Sequence, residues 1–263
     1  MKSLDQLTVC PRIILTDIDD TLTSEGQLKA NAYSSLWDLK ENGFLIIPVT
    51  GRPAGWCEMI ARFWPVEGIV GENGAFYFRY TNGKMKRHFE VDDQIRSKNR
   101  IQLLKIQEEI LNQVPGSAVA SDQFCRIADL AIDFCEDVPK LSDSYINQIK
   151  EIFESHGAQA KVSSIHVNGW FGDYNKLITL KKMLQMEFNL NNIEILKNCL
   201  FSGDSPNDEP LFAYFPNSVG VANVRNFLTN MKNLPTYITN KSGGDGFTEL
   251  SERLINLAHS HKK

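Results

Sequence analysis

The sequence predicts an α/β protein in which a parallel sheet with helices on both faces is interrupted by an inserted domain. Apolar runs of strand length alternate with helical segments over the first 83 residues and again from residue 173. Between residues 84 and 172 the order becomes helix, two strand-like runs, helix and a further strand-like stretch. That order suits an antiparallel sheet with helices on one face. We therefore expect a core formed by residues 1–83 and 173–263, and an inserted domain over residues 84–172.

The first part of the core begins as a β-α-β unit. Residues 12–17 are apolar enough for a buried strand, and residues 28–42 form an amphipathic helical pattern that Gly43 ends. A second strand is predicted in "FLIIPVTG". A helix near residues 54–63 and a short strand in "GIVGENGAFYF" extend the alternation.

The inserted domain and the second part of the core follow. In the insert we expect a helix over 92–113, two strands around "CRIADLAIDFCED", a helix over 142–156 and a strand in "AQAKVSSIHVNGWF". The parallel pattern then resumes with a helix over 175–187, "CLFSGDS", a helix over 208–214, "SVGVAN", "TYITN" and a last helix from residue 247.

Composition excludes several classes of function. The 263 residues carry a net charge of -4 with a pI near 5.8, so there is no basic field for nucleic acid. No apolar stretch is long enough to cross a membrane and the first residues lack a signal-peptide pattern, so we expect a cytoplasmic protein. The five cysteines are odd in number and without CxxC spacing, which favours reduced core thiols over a zinc site or disulfides.

Polar residues follow the apolar runs at the predicted strand ends, where open α/β sheets bind ligands. Carboxylates a few Å apart repel by ~4 kcal/mol per close pair at an effective dielectric near 20, so a cation must offset their charge. A hydroxyl beside a glycine and a lysine at the same edge suit a phosphate. The sequence thus predicts a Mg²⁺ and phosphate site built from Asp17, Asp19, Thr50, Gly51, Lys176, Asp204, Asn207 and Asp208.

These residues occur in four motifs whose order resembles the haloacid dehalogenase (HAD) superfamily of phosphatases and phosphomutases. The motifs are Asp17 to Thr21, Thr50, Lys176 and "GDSPND" at 203–208. The large insertion and "GENGA" at 71–75 resemble subclass IIB, which includes Cof-like, sucrose-phosphate and trehalose-phosphate phosphatases. The resemblance implies a Rossmann-like parallel-sheet core with an inserted α/β (α+β) cap domain of the C2 type.

The resemblance also implies a role for each residue. Asp17 would be the nucleophile that forms an aspartyl-phosphate, and Asp19, on the same side of the extended chain, would be the acid and base. Mg²⁺ would be bound by Asp17, the backbone carbonyl of Asp19, Asp204 and Asp208. The phosphate-binding residues would be Thr50, Gly51, Lys176 and Asn207.

The cap would select the substrate, since the core motifs touch only the phosphoryl group. Its candidates are Arg126, His166, Asn168 and Trp170; the last three alternate along one strand and could share one face, or that face could be ordinary polar surface. Asp20 stands where many relatives have glycine and is given an outward or structural role. We expect Arg52 to pair with a nearby carboxylate, and His259 and His261 to be solvated.

The leading hypothesis is a Mg²⁺-dependent phosphohydrolase acting on a sugar phosphate or a similar small phosphorylated metabolite, as a monomer or homodimer. The enzymatic alternative is a phosphomutase of the same fold. The alternatives outside enzymology are a phospho-acceptor module, which would lack the Asp-x-Asp on the first strand and the large insertion, and a catalytically silent sugar-phosphate sensor.

Overall fold

The computed structural model describes residues 1–260, and every structural statement below refers to that range. His261 and the two lysines after it lie outside the described residues. The strands are, in chain order, β1 (Lys2–Ser3), β2 (Ile13–Thr16), β3 (Leu45–Pro48), β4 (Ile69–Gly71), β5 (Phe76–Thr81), β6 (Lys84–Phe89), β7 (Ala118–Val119), β8 (Asp129–Asp133), β9 (Gln159–Val162), β10 (His166–Trp170), β11 (Cys199–Gly203), β12 (Ser218–Gly220) and β13 (Tyr237–Ile238).

Eight α-helices connect these strands. They are α1 (Ala30–Glu41), α2 (Ala54–Phe63), α3 (Asp93–Gln113), α4 (Asp143–Ser155), α5 (Lys176–Phe188), α6 (Asn192–Asn198), α7 (Glu209–Tyr214) and α8 (Gly243–Ser260). None of these described helices is both long enough and apolar enough to cross a bilayer.

A six-stranded parallel sheet in the order β1-β13-β12-β11-β2-β3 forms the centre of the core. Ile13 pairs with Leu45 on one side and with Cys199 on the other, so β2 lies between the first β-α-β unit and the strands that follow the insertion. The chain order of the strands therefore reverses beside β2. In open α/β sheets this reversal opens a crevice at the carboxyl ends of the strands, where ligands bind.

Helices cover both faces of this sheet, which explains why β2 and β11 are buried along their whole length. On one face, Leu36 of α1 packs in the same cluster as Phe247 and Leu250 of α8. On the other face, Leu180 and Met183 of α5 pack with the residues of β11. Each of these fully buried side chains contributes about 1.5–3 kcal/mol through burial of apolar surface. The predicted α/β class is confirmed.

Two antiparallel sheets complete the molecule. β4, β5 and β6 form a three-stranded sheet beside the core, and the predicted domain boundary at residue 84 falls between β5 and β6 of this hairpin. The second sheet, in the order β7-β8-β10-β9, has α3 and α4 packed against it. Ile106 and Ile110 of α3 and Phe153 of α4 fill the core of this second unit.

Several elements differ from the sequence prediction. The segment "CRIADLAIDFCED" contains one strand, β8, because Gln123 bonds the Asp129 carbonyl and the Ala131 amide and holds the chain before it in a turn. Helix α6 was missed, although Asn191 and Glu194 form a capping box at its start. Helix α8 begins at Gly243 rather than at residue 247. Strands β1, β6 and β7 were not predicted, and "GIVGENGAFYF" and "AQAKVSSIHVNGWF" each form two strands rather than one. The other predicted helices and strands lie within a few residues of their observed bounds.

Candidate active site

Three carboxylates meet where β2 and β11 end. Asp17 follows β2, Asp204 follows β11, and Asp208 lies one turn farther on. One oxygen from each lies within 4.8 Å of the others, and all three residues are buried. Parallel strands end at the same edge of the sheet, so residues 187 positions apart in sequence reach one point (204 − 17).

Lys176 is the cation of this cluster. Its Nζ lies 2.8 Å from Asp17 Oδ1 and 3.1 Å from Asp208 Oδ1. Burial alone would lower the pKa of Lys176, but the two carboxylates outweigh that effect and raise it. The lysine is therefore charged over the whole physiological pH range. It is the first residue of α5, whose start is fixed by the Asn175 side chain accepting from the Ile178 amide.

One lysine does not balance three buried carboxylates. Burial, opposed by Lys176 and reinforced by Asp208 and Asp19, raises the pKa of Asp17 to about 8. Burial followed by repulsion from Asp208 and Asp17 raises the pKa of Asp204 well above its ordinary value. Three converging carboxylates with uncompensated charge are the hard oxygen donors that Mg²⁺ prefers. The residues present therefore fit a divalent cation.

The orientation of Asp204 is set by neutral donors. Asn223 Nδ2 donates to Asp204 Oδ2 at 3.0 Å and to the Asp20 carbonyl at 3.0 Å. Thr21 Oγ1 donates to Asp204 Oδ1 at 3.3 Å. Asp208 Oδ2 accepts from the Asp204 amide at 3.1 Å, so Asp208 organises both Lys176 and Asp204. Sequence reasoning missed Asn223, which lies in a 3-10 segment that has no motif of its own.

Asp19 lies on the rim of this cluster and is bound by Arg52. Arg52 Nε lies 2.9 Å from Asp19 Oδ1, so the expected pairing of Arg52 with a carboxylate is found. Asp20 adopts a left-handed φ of 54°, a conformation that glycine adopts without strain. His259, also named from the sequence, is exposed and lies 2.9 Å from Asn42 Oδ1.

The residues predicted to bind phosphate lie around the same edge. Thr50 is fully buried after β3, and its hydroxyl accepts the Arg52 amide at 3.0 Å. Gly51 and Asn207 line the cavity in front of Asp17, whereas Thr50 is not among its lining residues. Asn207 Oδ1 accepts from Ser205 Oγ at 2.7 Å, which fixes its amide.

The cavity in front of Asp17 is closed by the second antiparallel unit. We call it the core–insert cavity; its walls are Asp17, Asp19, Gly51, Arg52, Ser205 and Asn207 from the core, and Arg126, Ser163, Ser164, Ile165, His166 and Asn168 from the insert. Three of the four residues predicted to contact substrate thus reach it. Trp170 does not; it is 2% exposed, stacks on Tyr174 with centroids 6.0 Å apart, and lines a neighbouring cavity.

The insert residues at this cavity are already paired. Arg126 donates to Asp122, to Asp129 and to the Gly51 carbonyl at 3.0 Å, so its charge is neutralised. Asn168 donates to Asp129 Oδ2 at 2.9 Å. These contacts make Arg126 and Asn168 a rigid wall of the cavity.

Glu136 connects the insert to Arg52 and was not predicted. Its Oε2 lies 2.9 Å from His166 Nε2, and its Oε1 lies 3.1 Å from Arg52 Nη2. The close approach of His166, with the charge of Arg52, lowers the pKa of Glu136 to about 2 against the opposing effect of burial. Glu136 is therefore ionised at neutral pH and forms an ionic contact between insert and core.

Glu72 forms a second junction, within the "GENGA" segment. Its fully buried carboxylate accepts from the Ala54 amide of the core at 2.9 Å and from the amides of Ile127, Ala128 and Asp129 of the insert. A carboxylate between these amides holds β8 against α2. The insert is therefore fixed over the carboxyl ends of the core strands.

The family model described as haloacid dehalogenase-like hydrolase matches residues 14–114, which include Asp17, Asp19 and Thr50. No curated protein sequence matches the chain at a significant level.

Solved structures share the fold over almost the whole chain. A Thermoplasma acidophilum protein, 0175, has a TM-score of 0.71 at 19% identity, covering 95% of this chain and 100% of its own. The C-terminal domain of trehalose-6-phosphate phosphatase from C. albicans has a TM-score of 0.67 at 16% identity, covering 95% and 92%. The sucrose-phosphatase of Synechocystis, solved with sucrose and phosphate, has a TM-score of 0.63 at 16% identity, covering 94% and 98%.

At these identities the structural likeness establishes the fold, and the family model matches the segment that carries the Asp-x-Asp motif. The second half of the chain contributes Lys176, Asp204 and Asp208, which lie around Asp17. The chain is thus similar to the haloacid dehalogenase-like hydrolases over residues 14–114, and it shares the fold of the solved structures over almost its whole length.

Proposed function

We propose that this protein is a Mg²⁺-dependent phosphatase that removes the phosphoryl group of a sugar phosphate or similar small metabolite through an aspartyl-phosphate. The observation that carries the proposal is the position of Asp17. Its carboxylate is held by Lys176 at 2.8 Å, lies within 4.8 Å of the carboxylates of Asp204 and Asp208, and faces the core–insert cavity.

The chain's own groups account for the two displacements. Asp17 attacks phosphorus, and Lys176 neutralises both Asp17 and the transferring group. Asp19 lines the same cavity, so it can protonate the leaving oxygen and then take a proton from the water that hydrolyses the intermediate. The Gly51 amide and Asn207 would hydrogen-bond the phosphoryl oxygens, with the Thr50 hydroxyl behind them.

Mg²⁺ would be held by the carboxylates of Asp17 and Asp204, with Asp208 and the Asp19 carbonyl as further donors. When bound, it supplies positive charge that offsets the repulsion between Asp17 and a dianionic phosphate. The raised pKa values of Asp17 and Asp204 support this assignment, since both carboxyls lack a sufficient counter-charge in the protein alone.

Two observations support a sugar phosphate as the substrate class. The comparison structures include a sucrose-phosphatase and a trehalose-6-phosphate phosphatase, both sharing the fold over more than nine-tenths of this chain. The cavity wall formed by the insert is polar, with His166, Asn168 and Ser164. We therefore assign residues 84–172 as the cap that selects the leaving group.

A screen of phosphorylated metabolites with Mg²⁺, run beside Asp17→Asn, tests the proposal. We expect phosphate release from at least one sugar phosphate, and a loss of turnover of at least ~10³-fold in the variant, because the nucleophile is removed. Release without a bisphosphate activator would distinguish a phosphatase from a phosphomutase. Unchanged release by Asp17→Asn would contradict the proposal.

A further inference from the structure

Residues 50–52 form a loop just after β3, which we call the phosphate loop, and two of its carbonyls are held by the core. The Thr50 carbonyl accepts from the Asn73 amide at 3.2 Å, and the Arg52 carbonyl accepts from the Glu72 amide at 3.1 Å. Glu72 and Asn73 have left-handed φ angles of 42° and 55°, a conformation that costs free energy in residues other than glycine. These two strained residues support the phosphate loop from the core side.

The third carbonyl of the phosphate loop is held by the insert. Arg126 Nη1 donates to the Gly51 carbonyl at 3.0 Å and to Asp129 at 3.1 Å. Arg126 Nε and Nη2 donate to Asp122 at 2.9 Å and 3.1 Å. A guanidinium has five hydrogens, and four of them have acceptors within residues 1–260: two on Asp122, one on Asp129 and one on Gly51. Only one hydrogen of Arg126 is left for a substrate.

The bond from Arg126 fixes the peptide that joins Gly51 to Arg52. In a trans peptide the C=O and the N–H point in opposite directions, and no described peptide bond is cis. The N–H of this peptide is the Arg52 amide, which donates to Thr50 Oγ1 at 3.0 Å. Arg126 therefore also orients the Thr50 hydroxyl through this peptide. A hydroxyl that accepts from an amide keeps its own proton for a further acceptor.

The peptide before it, from Thr50 to Gly51, presents an amide at the core–insert cavity. Its carbonyl is held by Asn73, so the Gly51 N–H is directed to the opposite side. This N–H has no hydrogen-bond partner among the described residues, and Gly51 lines the cavity in front of Asp17. Both donors proposed for the phosphoryl group, the Gly51 amide and the Thr50 hydroxyl, thus depend on how the loop carbonyls are held.

We propose that Arg126 is a positioning residue, which holds the phosphate loop from the insert in the conformation that binds the phosphoryl group. This inference rests on the proposed phosphatase function, and it assigns Arg126 a role different from the substrate contact predicted from the sequence. The Glu72 carboxylate accepts from the amides of Ile127 and Ala128, which keeps Arg126 beside the core. Phosphoryl binding then requires a docked insert for every leaving group.

Inorganic phosphate has no leaving group, so it separates the two roles of Arg126. Calorimetric titration of the complete enzyme with phosphate, in the presence of Mg²⁺, measures the Kd. Arg126→Lys should raise this Kd by ~10–100-fold, because an ammonium cannot reach Asp122, Asp129 and Gly51 together and a charge-assisted hydrogen bond to the loop is lost. The value of kcat/KM should fall by the same factor for p-nitrophenyl phosphate and for a sugar phosphate.

Matched variants separate this role from a loss of folding. Arg100→Lys is the control, because Arg100 lines two outer cavities with Arg126 but does not line the core–insert cavity; its Kd should equal that of wild type. If circular dichroism shows that Arg126→Lys does not fold, Arg126→Gln combined with Asp129→Asn replaces it, since this pair removes one positive and one negative charge. Asp129→Asn alone keeps the Gly51 bond and should bind phosphate as wild type does.

The outcomes separate the two proposals. If wild type releases phosphate from monoesters and the Arg126 variant binds inorganic phosphate as tightly as wild type, the positioning role alone is overturned. A loss of kcat/KM confined to sugar phosphates would also overturn it and would make Arg126 a substrate contact. If wild type neither binds inorganic phosphate nor hydrolyses any monoester, the proposed function fails and this inference fails with it.

Discussion

Arg52 and Asp19 are joined by a partly buried ion pair: both Nε and Nη2 of the guanidinium lie 2.9 Å from Asp19 Oδ1. The same Nη2 lies 3.1 Å from Glu136 Oε1 of the insert. One side chain therefore holds the proposed acid and base of the core and also fastens the insert above it. The orientation of Asp19 depends on the insert being in place.

Arg52→Met is expected to reduce kcat by ~10–100-fold, because Asp19 loses the partner that orients it. The loss should be larger for an alkyl phosphate, whose leaving oxygen needs a proton, than for p-nitrophenyl phosphate, whose leaving group does not. Steady-state kinetics with both esters measure this difference. Arg62→Met, which removes an exposed arginine paired with Glu58, is the control. An equal loss on both esters would assign Arg52 a role in binding only.

Glu136→Gln tests the ionic contact between insert and core through the pH dependence of stability. The pKa of Glu136 is about 2 in the folded protein, below the ordinary value of ~4.3 for an unfolded chain. Its stabilisation is therefore complete above about pH 4.3 and is lost as the pH falls toward 2.

Since the Glu136 side chain is 28% exposed, solvent screening reduces its contribution to ~1 kcal/mol at pH 7. Urea unfolding at pH 7, 4 and 3 should show wild type more stable than Glu136→Gln at pH 7, with the gap closing toward pH 3. Glu151→Gln, on the exposed side of α4, should show no such gap. A gap that is independent of pH would rule out the ionic explanation.

Asn223→Ala should weaken activation by Mg²⁺. The variant loses donors to Asp204 and to the Asp20 carbonyl, and groups that orient a metal ligand are typically worth ~10–100-fold in metal affinity. Titration of activity with Mg²⁺ measures the shift of the half-activating concentration. Asn226→Ala, at an exposed position one turn away, is the matched control. Identical titrations for both variants would remove Asn223 from the site.

Gly74→Ala should displace Lys176. A Cβ at Gly74 would lie 2.3 Å from the Asn175 carbonyl oxygen and 2.8 Å from the Lys176 amide, and φ is +104°. The start of α5 must shift, so we expect a loss of ~2–4 kcal/mol in unfolding free energy and a large loss of kcat.

Gly83→Ala provides the control for Gly74→Ala. Gly83 also has a positive φ, +72°, but nothing lies within 4 Å of its Cβ position. That variant should lose only ~1–2 kcal/mol and keep its kcat. Urea unfolding and kinetics on both variants separate backbone strain from displacement of the lysine. If Gly74→Ala and Gly83→Ala reduced kcat equally, the loss would not come from displacement of Lys176.

The sequence was sufficient for features that follow from one local rule. Apolar runs predicted the core strands, and the common edge of parallel strands brought Asp17, Lys176 and Asp204 together. Helix α6 could have been found from the Asn191 and Glu194 pair. These are properties of segments a few residues long.

Features that depend on how distant segments dock were not predictable in this way. Glu136 reaches Arg52 only because the insert folds over the sheet edge, and no pattern around Glu136 indicates it. His166 and Asn168 of β10 line the core–insert cavity, whereas Trp170 of the same strand packs on Tyr174 and lines a neighbouring cavity. Side chains on the same face of a strand can therefore line different cavities, because tertiary packing sets their surroundings.

The central claim is that Asp17 becomes phosphorylated, and Asp19→Asn isolates that step. With p-nitrophenyl phosphate the first displacement needs no proton, whereas hydrolysis of the intermediate still needs a base, so the intermediate should accumulate. Rapid mixing should give a burst of about one nitrophenol per enzyme, and mass spectrometry should locate the phosphoryl group on Asp17. No burst, or a phosphoryl group on any other residue, would contradict the account.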